Sequence, residues 1–250
     1  MPEVLKKRPK KKLPPEIAEK ARRLNEQNGI PFALAVNVAR GKDTLSNVLN
    51  RMLRDSKVQK LMDARGVPKN IAQVVVDGKA DLDRLLLKQR ARQYLSENWS
   101  RSVIDELHKS GTPAALLVDP DEVVTGGITG VDTYEFRLVP DEADERTVRK
   151  VDLHCVFAPN DAKAVREAAS IDTGIRKLDL GPELSPQKRI NFKHAEFQGR
   201  LESGKTAVFI TRRGHRFSGR ILWYSRWEVG IALDAGPEVT IFRHGLQNIA

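Results

Sequence analysis

The 250 residues contain one cysteine, Cys155, which excludes a disulfide framework and a multi-cysteine zinc site. Long apolar runs are also missing. The longest are Ile30 to Val36, interrupted by Pro31, and Ile71 to Val76. Both are far short of the ~20 residues that a bilayer demands. The Lys-rich beginning is not followed by an apolar stretch, so no secretory signal is read and a soluble, cytoplasmic protein is expected. No Gly-x-x-x-x-Gly-Lys-Ser/Thr loop, His-Glu-x-x-His pair or Gly-x-Ser-x-Gly elbow occurs. The five histidines (His108, His154, His194, His215, His244) lack metal-ligand spacing. Cys155 falls in the apolar stretch Leu153 to Phe157, where a buried, inert thiol is expected. The reading is therefore of a protein that is not an enzyme and uses neither metal nor cofactor.

What is present is positive charge, unevenly placed. The formal charge is +10, with 43 Lys/Arg against 33 Asp/Glu. Residues 1–90 carry a net +11, residues 91–186 a net −7, and residues 187–250 a net +6. Such asymmetry points to a polyanionic partner for the two basic parts and a different role for the middle. The run Lys6-Lys7-Arg8-Pro9-Lys10-Lys11-Lys12 is too charged to pack, so residues 1–14 read as a basic disordered arm, a solubilising tail or a nonspecific phosphate contact.

Two internal repeats organise the rest. Gly29-Ile30-Pro31 returns 37 residues later as Gly66-Val67-Pro68, and Gly41-Lys42 returns as Gly78-Lys79. Pro31 and Pro68 suit helix starts, Gly41 and Gly78 suit helix ends, and Thr44 and Asp81 suit N-caps. Residues 15–90 thus read as a helical tandem repeat with Leu34, Ala35, Val38, Leu45, Val48 and Leu49 turned inward. Two stacked copies would bury a face that neither could bury alone. The second repeat sets residues 104–157 on residues 197–250, a shift of 93 without a gap. Gly111 meets Gly204, Gly126-Gly127-Ile128 meets Gly219-Arg220-Ile221, Tyr134 meets Trp227, and Lys150 meets Arg243. Both copies show strand alternation, and each follows a helical stretch, Gln93 to Lys109 and about Lys188 to Leu201. A helix followed by about five short strands predicts a small barrel, made twice.

The first copy carries Gly126, Ile128, Asp132, Tyr134 and Leu138 as Gly-x-Ile-x-x-x-Asp-x-Tyr-x-x-x-Leu. This resembles the first signature of Sm-like proteins. The second copy ends in Phe242-Arg243-His244-Gly245, which resembles the Tyr-Lys-His-Ala segment of Hfq-type RNA chaperones. Asp132 is Ser225 in the second copy, and Arg243-His244 is Lys150-Val151 in the first. The resemblance covers about residues 95–157 and 190–250. It implies an α+β chain: the N-terminal all-α repeat, a first, acidic Sm-like barrel (91–157), a segment of linker or interface (158–187) and a second, basic Sm-like barrel (188–250). In that family the loop aromatic stacks on a base, the basic-His pair meets RNA, and neighbouring barrels pair strands into rings. Carried across, Trp227 would stack, Arg243 would meet phosphate and His244 would donate a hydrogen bond, beside Arg226 and Phe242. A ring of chains is the implied assembly, and three chains would give six barrels.

Read from their own chemistry, flat rings and cations suit single-stranded RNA. Trp223 and Tyr224 flank the same loop, and Trp223 or Trp227 could equally be core. Arg212, Arg213, Arg216 and His215 occupy one turn that reads as a second, exposed phosphate surface. The matching turn of the first copy is Asp119-Pro120-Asp121-Glu122, which would repel RNA, although Tyr134 and Lys150 persist nearby. The expected function is post-transcriptional: an RNA-binding protein or RNA chaperone. Two other readings remain, a DNA-associated transcriptional regulator acting through the helical repeats and a scaffold whose acidic copy docks a protein partner.

Overall fold

A computed structural model describes residues 13–250 except Glu142 and Ala235. Residues 1–12 of the expected basic arm lie outside the described residues. The chain divides after Leu85 into two compact units.

The first unit holds α1 (Pro15–Asn28), α2 (Phe32–Ala39), α3 (Leu45–Arg65) and α4 (Lys69–Val76), and α5 (Leu82–Glu97) runs across the division. Its punctuation follows the repeat. Gly29 and Gly66 end α1 and α3 at φ of 63° and 62°, a left-handed conformation that costs glycine nothing. The Thr44 hydroxyl accepts from the Asn47 N–H at 3.2 Å, and the Asp81 carboxylate from the Arg84 N–H at 2.8 Å. Each cap satisfies an orphan donor at a helix start. Buried positions also recur at the 37-residue interval: Ala21 and Val58, Ile30 and Val67, Ala35 and Ala72. One expected core residue fails. Leu49 is 38% exposed, because Val48 takes the inward place on α3.

The second unit is an antiparallel sheet dressed with helices. Its strands are β1 (Ala114–Val118), β2 (Glu122–Val131), β3 (Glu135–Pro140), β4 (Arg146–Arg149), β5 (Leu153–Phe157), β6 (Ser170–Ile171), β7 (Ala207–Thr211), β8 (His215–Tyr224), β9 (Glu228–Leu233), β10 (Glu238–Phe242) and β11 (Leu246–Ile249). The helices are α6 (Val103–Ser110), α7 (Ala162–Ala168), α8 (Thr173–Lys177) and α9 (His194–Ser203). The helix expected over Gln93 to Lys109 is broken. Glu97 ends α5, a turn carries Trp99 to Arg101, and Ser102 caps α6 by accepting from the Asp105 N–H. The expected 188–201 helix starts later, at His194, and the intervening segment contributes α7, α8 and β6, which pairs with β8.

Strand order is β11-β7-β8-β9-β10-β5-β1-β2-β3-β4. The two expected separate barrels are thus one continuous, open sheet. Within it the order fifth, first, second, third, fourth occurs twice, and the blocks meet where β10 pairs with β5 (Val239 with Phe157, Ile241 with Cys155).

The shift of 93 holds down to single hydrogen bonds. The Lys150 N–H donates to the Tyr134 carbonyl and the Arg243 N–H to the Trp227 carbonyl, both at 2.8 Å. Asp132 N–H to Glu135 O and Ser225 N–H to Glu228 O are both 2.9 Å. Gly126 and Gly219 are equivalent, and a Cβ on either would lie 2.2 or 2.4 Å from a carbonyl oxygen of the neighbouring strand. Only glycine fits so close an approach. The two cores interlock across the seam. Leu117, Cys155 and Phe157 of the first block pack with Phe197, Phe209 and Tyr224, whereas Phe242 of the second packs with Leu116, Phe136 and Leu153. Cys155 is fully buried, and burial pushes its thiol pKa up, as expected for an inert residue.

Candidate nucleic-acid interface

One end of the β5–β10 seam opens into a groove of about 900 Å³. Both blocks line it. The first supplies Tyr134 and Lys150, and the second Arg226, Trp227, Phe242 and His244. Six of the ten residues singled out from the sequence therefore meet in one place, although Tyr134 and Trp227 are 93 positions apart.

The rings are presented to solvent. Tyr134 is 82% exposed and Trp227 is 49% exposed, each held at its loop by the repeated backbone bond described above. Trp99, in the turn between α5 and α6, is 48% exposed and lines the same groove. The Arg226 guanidinium lies over both tryptophans, 4.6 Å from the Trp99 ring centroid and 4.3 Å from that of Trp227. Such stacking holds a cation against two π-faces without consuming its charge. Among the described residues, neither Lys150 nor Arg226 has a carboxylate partner within ion-pair distance. Arg101, Arg149 and Arg189 complete the basic lining, with Arg149 bonded twice to Asp152 at 2.7 and 2.8 Å.

Trp99, Arg101, Arg149 and Arg189 escaped the sequence reading. Trp99 and Arg101 sit where a continuous helix was expected, and Arg189 falls at the start of the expected 188–201 helix, ahead of the point where α9 begins. The one available signal was the rarity of tryptophan: Trp99 is one of three.

Other expected contacts prove structural. Arg243 is buried, and its guanidinium donates to the carbonyls of Ser225 at 2.9 Å, Arg226 at 3.1 Å and Phe192 at 3.0 Å while lying over the Phe197 ring. Burial lowers its pKa to about 10, so it keeps its charge at neutral pH. It does not face the groove as a phosphate ligand. It ties down the loop that carries Trp227. Phe242 is 3% exposed and belongs to the core beneath the groove. His244 donates from Nε2 to the Leu153 carbonyl at 3.1 Å, which fixes its tautomer, since a carbonyl only accepts. Burial, helped by nearby Arg189, lowers its pKa to about 4 and keeps it neutral. Glu228, on the groove floor, accepts from the Val103 N–H at 2.8 Å, yet burial raises its pKa to about 7. Trp223 is half-buried and packs over Gly230, with Arg101 stacked 3.9 Å from its ring.

The basic turn between β7 and β8 is not an open phosphate surface. Arg213 has 15% of its side chain exposed, donates to Asp119 at 2.5 and 2.9 Å, and pairs with Asp179. Arg212 donates to the Gly181 carbonyl at 2.9 Å, Arg216 lies 3.9 Å from Asp172, and His215 meets Asp121 at 2.7 Å. The acidic turn of the first block and the basic turn of the second neutralise one another. The Arg213 guanidinium beside Asp119 holds that carboxyl below its usual range, against the opposing effect of burial.

Among the described residues, no group of three or more His, Cys, Asp or Glu could hold a metal ion, and no helix is long and apolar enough to cross a membrane. No protein-family model, curated protein or solved structure matches the chain.

Proposed function

We propose that the chain is a nonenzymatic RNA-binding protein, built from two Sm-like five-stranded blocks, that holds single-stranded RNA in the groove at their junction. One observation carries the reading: three exposed rings and two unpaired cations converge there from both copies. Bases stack on Tyr134, Trp99 and Trp227, and the phosphates meet Lys150, Arg226 and Arg189. Each stacked base contributes about 1–3 kcal/mol, and each phosphate contact makes affinity salt-dependent. A duplex hides its bases in the stack and cannot offer them to these rings. RNA chaperoning or post-transcriptional regulation in the cytoplasm is the role that such binding serves.

The sheet's ends support an assembly. Among the described residues β4 and β11 end the main path of strands, and by the 93-residue shift they are the counterparts of β10 and β5, the strands joined in mid-sheet. Pairing β4 of one chain with β11 of the next would repeat the internal seam and cover both edges. Light scattering on the full chain is expected to give a closed oligomer, and a monomer at micromolar concentration would remove this part of the proposal.

The binding test compares labelled single-stranded A- or U-rich RNA with duplex DNA of equal length, at two salt concentrations, by fluorescence anisotropy. Tighter, salt-dependent binding of the RNA is expected, weakened by Trp227→Ala, Tyr134→Ala and Lys150→Ala. Preference for the duplex would favour the helical repeats as a DNA-binding element. Absence of any nucleic-acid affinity would favour a scaffold.

A further inference from the structure

The other end of the β5–β10 seam opens into a second groove, of about 1000 Å³, whose chemistry is reversed. Because β5 and β10 run antiparallel, Lys150, Val151, Phe242 and His244 face the first groove, whereas Val156, Phe157, Glu238 and Val239 line the second. Val103 and Leu107 of α6 form one wall, and Pro113, Pro159 and Pro237 lie around the rim. Trp223 supplies the one indole, with Arg101 already stacked on it. In a chain of net charge +10, the described lining contains no Lys, Arg or His. Its charged residues are two carboxylates, Asp161 and Glu238, and neither is in an ion pair among the described residues.

We infer that this second groove docks an extended, proline-containing segment of a partner protein that carries arginine or lysine. The floor offers apolar surface and an indole edge, against which a polyproline II strand packs at little entropic cost because its conformation is already set. Asp161 and Glu238 select for cations and repel the phosphate backbone that suits the opposite groove. One protein could then hold RNA and a protein partner at the two ends of one seam.

The test titrates the full chain with a fluorescent ten-residue peptide of proline and leucine carrying two arginines, and with its counterpart in which both arginines are glutamate. Saturable binding of the arginine peptide is expected, with at least tenfold weaker binding of the glutamate peptide, a difference of about 1.4 kcal/mol. The double variant Asp161→Lys/Glu238→Lys should weaken the arginine peptide about tenfold while the chain still unfolds in one cooperative thermal transition. RNA binding, measured in parallel, should change less than about twofold, since neither residue lines the first groove. Failure to saturate at about 1 mM peptide, equal affinity for the two peptides, or full binding by the double variant would each overturn the inference. If that variant instead gains RNA affinity without having bound peptide, the groove is an extension of the RNA path. Loss of RNA binding in the unaltered chain is a separate result that bears on the first groove alone.

Discussion

The two five-stranded blocks of the second unit share a backbone and differ in what hangs on it. At the loop after the second strand, the first block has Thr133-Tyr134-Glu135, all exposed; the second has Arg226-Trp227-Glu228, of which Glu228 is buried. Lys150 is half-buried and lines the groove, whereas its counterpart Arg243 turns inward to bind three carbonyls. At the strand bulge Gly130 faces Arg137, and in the second block Trp223 faces Gly230, so large and small have changed places across the pair. The repeated main-chain bonds explain this latitude. A frame held by backbone donors and acceptors lets side chains diverge, provided that each volume change is answered by its neighbour.

That contrast can be broken most forcefully at Arg243. Arg243→Ala leaves three carbonyls, of which that of Ser225 is buried, without this donor and is expected to cost about 3 kcal/mol or more, seen as a lowered Tm. Lys150→Ala should change stability by no more than about 0.5 kcal/mol while weakening RNA binding. Equal Tm losses in the two variants would show that the blocks have not diverged in this respect. Gly230→Arg comes next. A Cβ there would lie 2.1 Å from the Trp223 indole, so about 1–3 kcal/mol of overpacking is expected. Adding Trp223→Gly restores the pair found in the first block and should recover part of the loss in chemical denaturation.

Smaller effects separate the rings. Trp227→Ala should weaken single-stranded RNA binding by about 1–3 kcal/mol. Tyr134→Ala should lose less, since among the described residues no cation lies over its ring as Arg226 does over Trp227. The last effect is confined to acid pH and concerns His154, whose equivalent in the second block is Gln247; among the described residues, both hold buried side-chain atoms without a hydrogen-bond partner. Burial lowers the His154 pKa from 6.5 to about 4, despite Asp119 at 3.5 Å. The unfolded chain therefore binds a proton between those values that the folded chain refuses, so stability falls as pH drops from about 6.5 to 4. His154→Leu removes the orphaned nitrogens. It should be neutral or stabilising at pH 7, and the fall of Tm with falling pH should become shallower across that window, the remainder including the share of His244, whose pKa burial lowers in the same way.

The sequence made the helix caps and both repeat intervals legible, because glycine, proline and cap residues act locally. It also made half of the groove legible, since a loop aromatic repeated at 93 residues signals its own position. Fates that depend on distant packing were hidden. Arg243 and Lys150 look interchangeable until Phe197 and the Phe192 carbonyl close over the former. Arg213 reads as exposed until Asp119, 94 residues earlier, arrives beside it. The open sheet could not be told from two barrels, because a strand pattern does not say which neighbour an edge takes.

The Asp119–Arg213 contact has a consequence for order. By the 93-residue shift, the second block has Arg212 where the first has Asp119, and the first has Pro120 where the second has Arg213. Two second blocks side by side would set Arg212 beside Arg213, and two first blocks would set Asp119 beside Pro120, with no cation to meet it. Of these pairs, the one present in the chain, Asp119 with Arg213, brings opposite charges together, and like-charge contacts at an interface cost several kcal/mol. The junction thus works as a sorting rule within the chain: it admits the unlike pair and rejects two copies of the second block.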